Sequence, residues 1–184
     1  MSLSQTMKEE RPNLILIGMP GAGKSTVGVI LAKQTSRDYV DTDVLIQTSQ
    51  GRTLQEIVDR EGYAGLRMIE EDILLGLSVH NHVIATGGSA VYSDPAMGHL
   101  KFSGIAIFLD VNLATLESRV QDFGTRGLAK LPGQSFADLF EERFTLYSKY
   151  ADITIKCAGM TQEEVCARII EEVEGKTDQS LKSI

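Results

Sequence analysis

The sequence predicts a three-layer α/β domain, a parallel sheet of about five strands with helices on both faces. Two features carry that prediction. Short aliphatic runs alternate with helix-length segments whose apolar residues recur with a helical period, and a glycine-rich turn joins the first run to the first segment. The 184 residues suffice for one domain with a substantial core, expected over 12–174, with 1–11 and 175–184 as flexible ends. There are no internal repeats.

The first strand is read at Leu14-Ile15-Leu16-Ile17, and the turn that follows it, Gly18 to Thr26, fits G-x-x-x-x-G-K-[ST]. In such a turn, backbone N–H groups along Gly21-Ala22-Gly23 point at phosphate oxygens, Lys24 reaches the β- and γ-phosphates, and the Ser25 hydroxyl can ligate Mg²⁺. Glycine is required because a Cβ would block both the close approach and the φ values. Val27, Ile30 and Leu31 stripe the next helix, about 24–35, whose positive end adds to the site.

Tyr39-Val40-Asp41-Thr42-Asp43 reads as a short strand with two carboxylates on one face. One of them can hold Mg²⁺ through water while the other accepts a hydrogen bond from a substrate hydroxyl; the alternative is that they cap the following helix. Helical pattern then runs to about Leu77, interrupted near Gly51 and Gly62, with Thr53 and Glu56 spaced as a capping box. Leu66, Ile69, Ile73 and Leu77 are the expected buried stripe, leaving Arg67, Glu70 and Glu71 on other faces. On that spacing Arg67 would form a surface ion pair with Glu70 or Glu71, worth about 0.2 to 0.5 kcal/mol.

His82 to Thr86 reads as a strand ending in Gly87-Gly88-Ser89, where paired glycines either admit a ligand close to the backbone or make a plain tight turn. Ile105 to Leu109 is a further buried strand. Asp110 or Asn112 caps the helix after it; Asp110 is also placed as a metal-binding aspartate would be, in competition with Asp41, but capping ranks first. The segment 122–135 has no apolar period and carries glycines with Arg126 and Lys130, which suits a closing lid or an ordinary surface loop. A helix over 136–150 holds Arg143 and Tyr147, a strand covers 152–155, and Val165, Ile169 and Val173 stripe the last helix.

Eighteen basic against 25 acidic residues give a net charge of -7, which argues against a generic nucleic-acid or membrane surface. Cys157 and Cys166 have neither metal spacing nor a disulfide framework, which suits the cytoplasm, and no apolar run approaches the ~20 residues of a membrane span. His80, His82 and His99 have no partner spacing.

From about Leu14 to Val173 the chain resembles the shikimate kinase family. The marks are the loop Gly18 to Thr26, Val40-Asp41-Thr42-Asp43, Gly51-Arg52-Thr53-Leu54 leading to Leu66-Arg67-Met68-Ile69-Glu70, Thr86-Gly87-Gly88, Arg126, and Arg143 through Tyr147 to Ala151-Asp152. The resemblance implies a P-loop kinase fold like that of the nucleoside monophosphate kinases, with sheet order 2-3-1-4-5 and transfer of the ATP γ-phosphoryl to a ring hydroxyl. Carried over by position, Gly21, Ala22, Gly23, Lys24, Ser25, Thr26, Arg119 and Arg126 would bind ATP, with Arg119 against the adenine and Arg126 coming down with the lid. Ser25 would bind Mg²⁺ and Asp41 would hold it through water. Asp43 would receive the acceptor hydroxyl, Arg67 and Arg143 would grip the substrate carboxylate as planar forks, and Gly87, Gly88 and Ser89 would line the acid. Lys24, Asp43 and Arg126 would carry the chemistry.

The chain departs from the family at Ser89, where a third glycine is usual, at Val58 and Leu66, near positions usually held by phenylalanine, and at Gly127-Leu128-Ala129, where the family reads Pro-Leu-Leu. A kinase of another small hydroxy acid, such as homoserine or gluconate, is therefore the second expectation, and a nucleotide-binding regulator without chemistry the third. A cytoplasmic monomer with a small-molecule substrate and no nucleic-acid or membrane partner is expected.

Overall fold

The computed structural model describes residues 11–119, 131 and 133–182. In chain order its elements are β1 (Asn13–Ile17), α1 (Lys24–Thr35), β2 (Asp38–Asp41), α2 (Thr42–Gln50), α3 (Leu54–Leu75), β3 (His82–Ala85), a 3-10 turn (Ala90–Tyr92), α4 (Asp94–Phe102), β4 (Gly104–Asp110), α5 (Leu113–Arg119), α6 (Phe136–Tyr150), β5 (Ile153–Lys156) and α7 (Gln162–Lys182). The strands form one sheet in the order β2-β3-β1-β4-β5, the order that the resemblance implies. Every adjacent pair is parallel, with Ile15 of β1 facing Ile84 of β3 on one side and Ala106 of β4 on the other.

All five residues of β1 are buried, as its continuous aliphatic run requires of a strand covered on both faces. Because β1 lies between β3 and β4, the loops that leave the C-terminal ends of β1 and β3 emerge side by side. Open α/β sheets bind ligands at that edge. The main core is built on the sheet and the helices against it; a second, smaller cluster of Ile46, Ile57 and Leu66 joins α2 to α3, with Leu54, Val58, Tyr63, Ile69 and Ile73 packed around it.

Several boundaries differ from the sequence expectation. Strand β2 ends at Asp41, which is the N-cap of α2, so Asp43 sits in the first turn of a helix and not two places along a strand. Helix α3 starts with the expected Thr53–Glu56 capping box and breaks its helical geometry at Gly62 (φ 72°, ψ 179°). Downstream of that break the buried residues are Leu66, Glu70 and Leu74, at intervals of four, so Glu70 faces inward and not outward as the stripe through Ile69 and Ile73 suggests. Asn112, and not Asp110, accepts from the Thr115 N–H at the start of α5.

Helix α4 went unread in the sequence, although Ser93 caps it and Pro95 stands in its first turn. At the other end of the chain, α7 continues through Gly175 to Lys182, across much of the expected flexible tail. A single helical glycine costs only about 1 kcal/mol relative to alanine, and no proline follows it. Among the described residues no helix is long and apolar enough to cross a membrane. Arg126 and nearly all of the expected lid, 122–130 and Pro132, lie outside the described residues.

Candidate active site

The turn between β1 and α1 takes positive φ at Gly18, Gly21 and Gly23 (147°, 84° and 94°), so the loop has the backbone that only glycine adopts cheaply. At Gly18 space forbids a side chain as well, since a Cβ would lie 3.0 Å from the Leu109 carbonyl oxygen. Lys24 folds back over this loop, its Nζ donating to the carbonyls of Gly18 (2.7 Å) and Met19 (3.0 Å). Burial lowers its pKa to about 8, against the opposing pull of Asp43.

Across the sheet, the Ser25 hydroxyl donates to Asp41 Oδ2 at 2.6 Å, and the Tyr39 hydroxyl donates to the same oxygen at 3.2 Å. Asp41 Oδ1 accepts from the N–H groups of Asp43 (3.0 Å) and Val44 (3.4 Å). Asp41 therefore caps α2 with one oxygen and faces Ser25 with the other, so the capping and metal readings are both compatible with its geometry. A hydroxyl paired with a carboxylate is a hard oxygen set of the kind Mg²⁺ takes while keeping several waters, and the residues present fit that ion.

The next layer of the site is a pair of carboxylates packed on the turn after β3. A Cβ added at Gly87 would run into Glu70 Oε1 and come within 2.7 Å of Asp43 Oδ1. Only glycine lets both acids close over that backbone, so a ligand's approach is not the sole reason for it. Gly87 N–H donates to the buried Thr42 hydroxyl (2.9 Å), which fixes the turn against α2. Burial raises the pKa of Asp43, with Lys24 opposing it. Burial likewise pushes Glu70 up to about 7, countered mainly by the Ser89 hydroxyl, which donates to Glu70 Oε2. Ser89 thus turns its side chain toward Glu70 within the same cavity wall.

Arg143 comes from α6 and is 1% exposed. Its Nε donates to the Tyr92 hydroxyl at 3.4 Å, and a Cβ on Gly88 would lie 2.8 Å from its Nη1, so Gly88 is where the backbone makes way for the guanidinium. Tyr147, one turn further along α6, donates to the Gly88 carbonyl at 2.7 Å and ties the helix to the turn. Arg67 is not in the surface ion pair that spacing suggests. Its guanidinium carbon lies 3.4 Å from the centroid of the Tyr92 ring and 5.3 Å from that of Tyr63, and its buried Nε has no hydrogen-bond partner among the described residues.

These groups enclose a cavity of about 380 Å³ that brings together Gly21, Gly23, Lys24, Ser25, Thr26, Asp43, Gly88, Ser89, Arg119 and Arg143 from the expected site. Ile46, Leu54 and Leu66 of the second apolar cluster form its hydrophobic wall, while Val58 lies behind them. Arg119 reaches the loop, its Nη1 donating to the Gly21 carbonyl at 3.4 Å. Asp41 meets the site through Ser25, Gly87 lies against Glu70 and Asp43, and Ala22 lines a separate small cavity with Gly23 and Arg119. Arg67 lines a neighbouring cavity of about 260 Å³ with Glu71 and Tyr92; Glu70 and Ser89 face both.

Sequence reasoning missed two residues, Glu70 and Tyr92. The interval of four from Leu66 through Glu70 to Leu74 was a usable sign for the first; nothing local marked Tyr92, which meets its partners only through the fold.

The family model described as shikimate kinase matches residues 20–174. Shikimate kinase 2 of Enterobacter sp. (strain 638) is 36% identical over 162 residues, 85% of this chain and 92% of that protein. The shikimate kinase of Synechococcus sp. (strain CC9902) is 39% identical over 163 residues, 86% of this chain and 84% of the relative. Among solved structures, shikimate kinase from Acinetobacter baumannii in complex with shikimate superposes with a TM-score of 0.84 at 31% identity, covering 90% of this chain and 94% of that one. Much more distant P-loop proteins, such as the thymidylate kinase of Candida albicans (TM-score 0.56, 13% identity), share the fold alone. A family match over most of the chain, on top of the expected sheet order and the assembled phosphate loop, shows that this chain belongs to the shikimate kinase family.

Proposed function

We propose that the protein transfers the γ-phosphoryl group of ATP to the 3-hydroxyl of shikimate. The observation that carries this reading is the meeting of Lys24, Asp43 and the buried Arg143 on one cavity beside the phosphate loop. The hydroxyl oxygen forms a bond to the γ-phosphorus as the bond to the β–γ bridging oxygen breaks, and the proton of the hydroxyl passes to Asp43. Phosphoryl transfer has a loose transition state, so Asp43 acts chiefly by orienting the hydroxyl and takes the proton late. Lys24 exchanges its two loop carbonyls for phosphate oxygens, and the loop N–H groups together with the start of α1 hold the rest of the phosphate chain. Arg143 takes the substrate carboxylate as a fork, with Arg67 as the second arginine across Glu70 and Ser89. Ser25 and Asp41 are the residues that would hold Mg²⁺; bound there, the ion would neutralise charge on the β- and γ-phosphates. Arg119 is assigned to the adenine side and Arg126 to the lid by the family resemblance. The cytoplasm, the compartment that we assign, rests on the two buried free thiols; the monomer is kept as the sequence expectation.

The test is ADP release measured with shikimate, homoserine and gluconate as acceptors. Turnover with shikimate at least roughly a hundredfold above the other two is expected, since the cavity's apolar wall and carboxylate fork together suit a ring acid. Turnover with homoserine alone would overturn the reading.

A further inference from the structure

Tyr92 stands where the two arginines of the proposed acid site meet, and no motif in the sequence pointed to it. It ends the 3-10 turn after Ser89, on the rim of the smaller cavity. The guanidinium carbon of Arg67, on α3, lies over its ring 3.4 Å from the centroid, a distance so short that it calls for the guanidinium to stack on the aromatic face. Arg143 of α6 donates from Nε to its hydroxyl at 3.4 Å, with the guanidinium carbon 5.4 Å from the ring centroid. A guanidinium can only donate, so in this bond the phenol oxygen is the acceptor. One side chain therefore fixes two cations from different helices, using its face for one and its oxygen for the other.

Without that ring Arg67, whose Nε lacks a hydrogen-bond partner among the described residues, would lose the face it stacks on and be free to swing toward Glu71 or solvent, and Arg143 would lose the oxygen that receives its Nε. Stacking uses the guanidinium face, so it leaves the forked Nη groups of Arg67 unclaimed by the ring.

From this arrangement we infer that Tyr92 is a positioning residue for acid recognition: it sets the spacing and orientation of Arg67 and Arg143 so that both forks address one substrate carboxylate. The inference rests on the proposed carboxylate role of the two arginines. It gives Tyr92 no part in phosphate binding, because the residue lines only the cavity that the phosphate loop does not reach.

Steady-state kinetics of the full chain and of the variants Y92L, Y92F and R143A separate the two ideas, with thermal unfolding recorded alongside to show that each variant folds. Y92L should raise the KM for shikimate about tenfold or more, leave the KM for ATP within about twofold, and change kcat much less than the shikimate KM. Y92F keeps the ring under Arg67 and loses only the hydroxyl bond to Arg143, so it should raise the shikimate KM by a smaller factor, about three- to fivefold. Discrimination between shikimate and its carboxamide should shrink in Y92L by the same factor, because the residue acts only through the carboxylate. A shikimate KM raised by R143A but unmoved by Y92L overturns the role of Tyr92 alone. A shikimate KM unmoved by R143A overturns the carboxylate assignment and the inference with it. If Y92L fails to fold, Y92F decides: a shikimate KM within twofold of the parent together with unchanged carboxamide discrimination overturns the hydroxyl contact, and a raised KM supports it.

Discussion

The two ends of the cavity are built in opposite ways. At the phosphate end, nine consecutive residues from Gly18 to Thr26 supply almost everything, and most of what they supply is backbone. At the acid end, Asp43, Arg67, Glu70, Ser89, Tyr92 and Arg143 come from α2, α3, the turn after β3 and α6, and each acts through its side chain. The phosphate end needs only a strand, a turn and a helix to be right. The acid end needs the whole sheet order to be right, because only the adjacency of β1 and β3 brings the Gly87 turn beside the loop. Substitutions should accordingly have sharper and more separable effects at the acid end.

The largest effect expected is that of Asp43→Asn. It removes the proposed proton acceptor while keeping the shape, and should lower kcat by roughly 10²- to 10⁴-fold. Equilibrium titration should find ATP binding retained; loss of nucleotide binding would mean that the two ends are not separate. Gly87→Ala comes next. Its Cβ would strike Glu70 and Asp43 together, so kcat should fall by about tenfold or more while the ATP dissociation constant stays put. A variant as active as the parent would show that the packing of the two carboxylates on this turn is not needed.

The phosphate end has its own signature, in pH. Lys24 titrates near 8 in the nucleotide-free site because burial disfavours its charged form. Its charge is complete well below that value and is lost as pH rises through it. In a pH series, kcat/KM for ATP should therefore fall on the alkaline side with an apparent pKa of about 8, since this parameter reports the free enzyme. A flat profile up to pH 10 would break the assignment. The smallest effect belongs to the seam between α1 and β2. A Cβ at Gly28 would sit 2.6 Å from Tyr39 Cε2, and Tyr39 in turn bonds to Asp41. Gly28→Ala should destabilise the fold by about 1 to 3 kcal/mol of overpacking, read as a lowered denaturation midpoint. No loss would mean that the ring moves aside freely.

The same contrast governs what could be read from the chain. The phosphate loop, α1, the Thr53–Glu56 cap and α6 follow from local pattern, because a glycine turn, a capping box and a helical stripe are each set within a few residues. Asp43 was named, but on the wrong element: a strand and the first turn of a capped helix cannot be told apart over five residues when Asp41 serves as the boundary. Glu70 was placed outward because Ile69 and Ile73 suggest one helical face and the break at Gly62 selects another. Ser89 carried only a spacing in the sequence; its direction, toward Glu70, depends on a helix that starts some thirty-five residues earlier. Tyr92 was beyond reach for the same reason, since both of its cationic partners are distant in the chain.

The small cluster of Ile46, Ile57 and Leu66 leads to a different kind of consequence. It packs α2 against α3 apart from the main core and at the same time walls the acid end of the cavity. A region with its own core can open as a sub-global cooperative unit while the sheet stays closed. Backbone amides of α2 and the first half of α3 would then exchange with solvent at a lower free energy than those of β1, and drift at positions such as Val58 could retune the choice of acid without touching the framework that binds nucleotide. Acceptor preference and fold stability become separately heritable traits of one small domain.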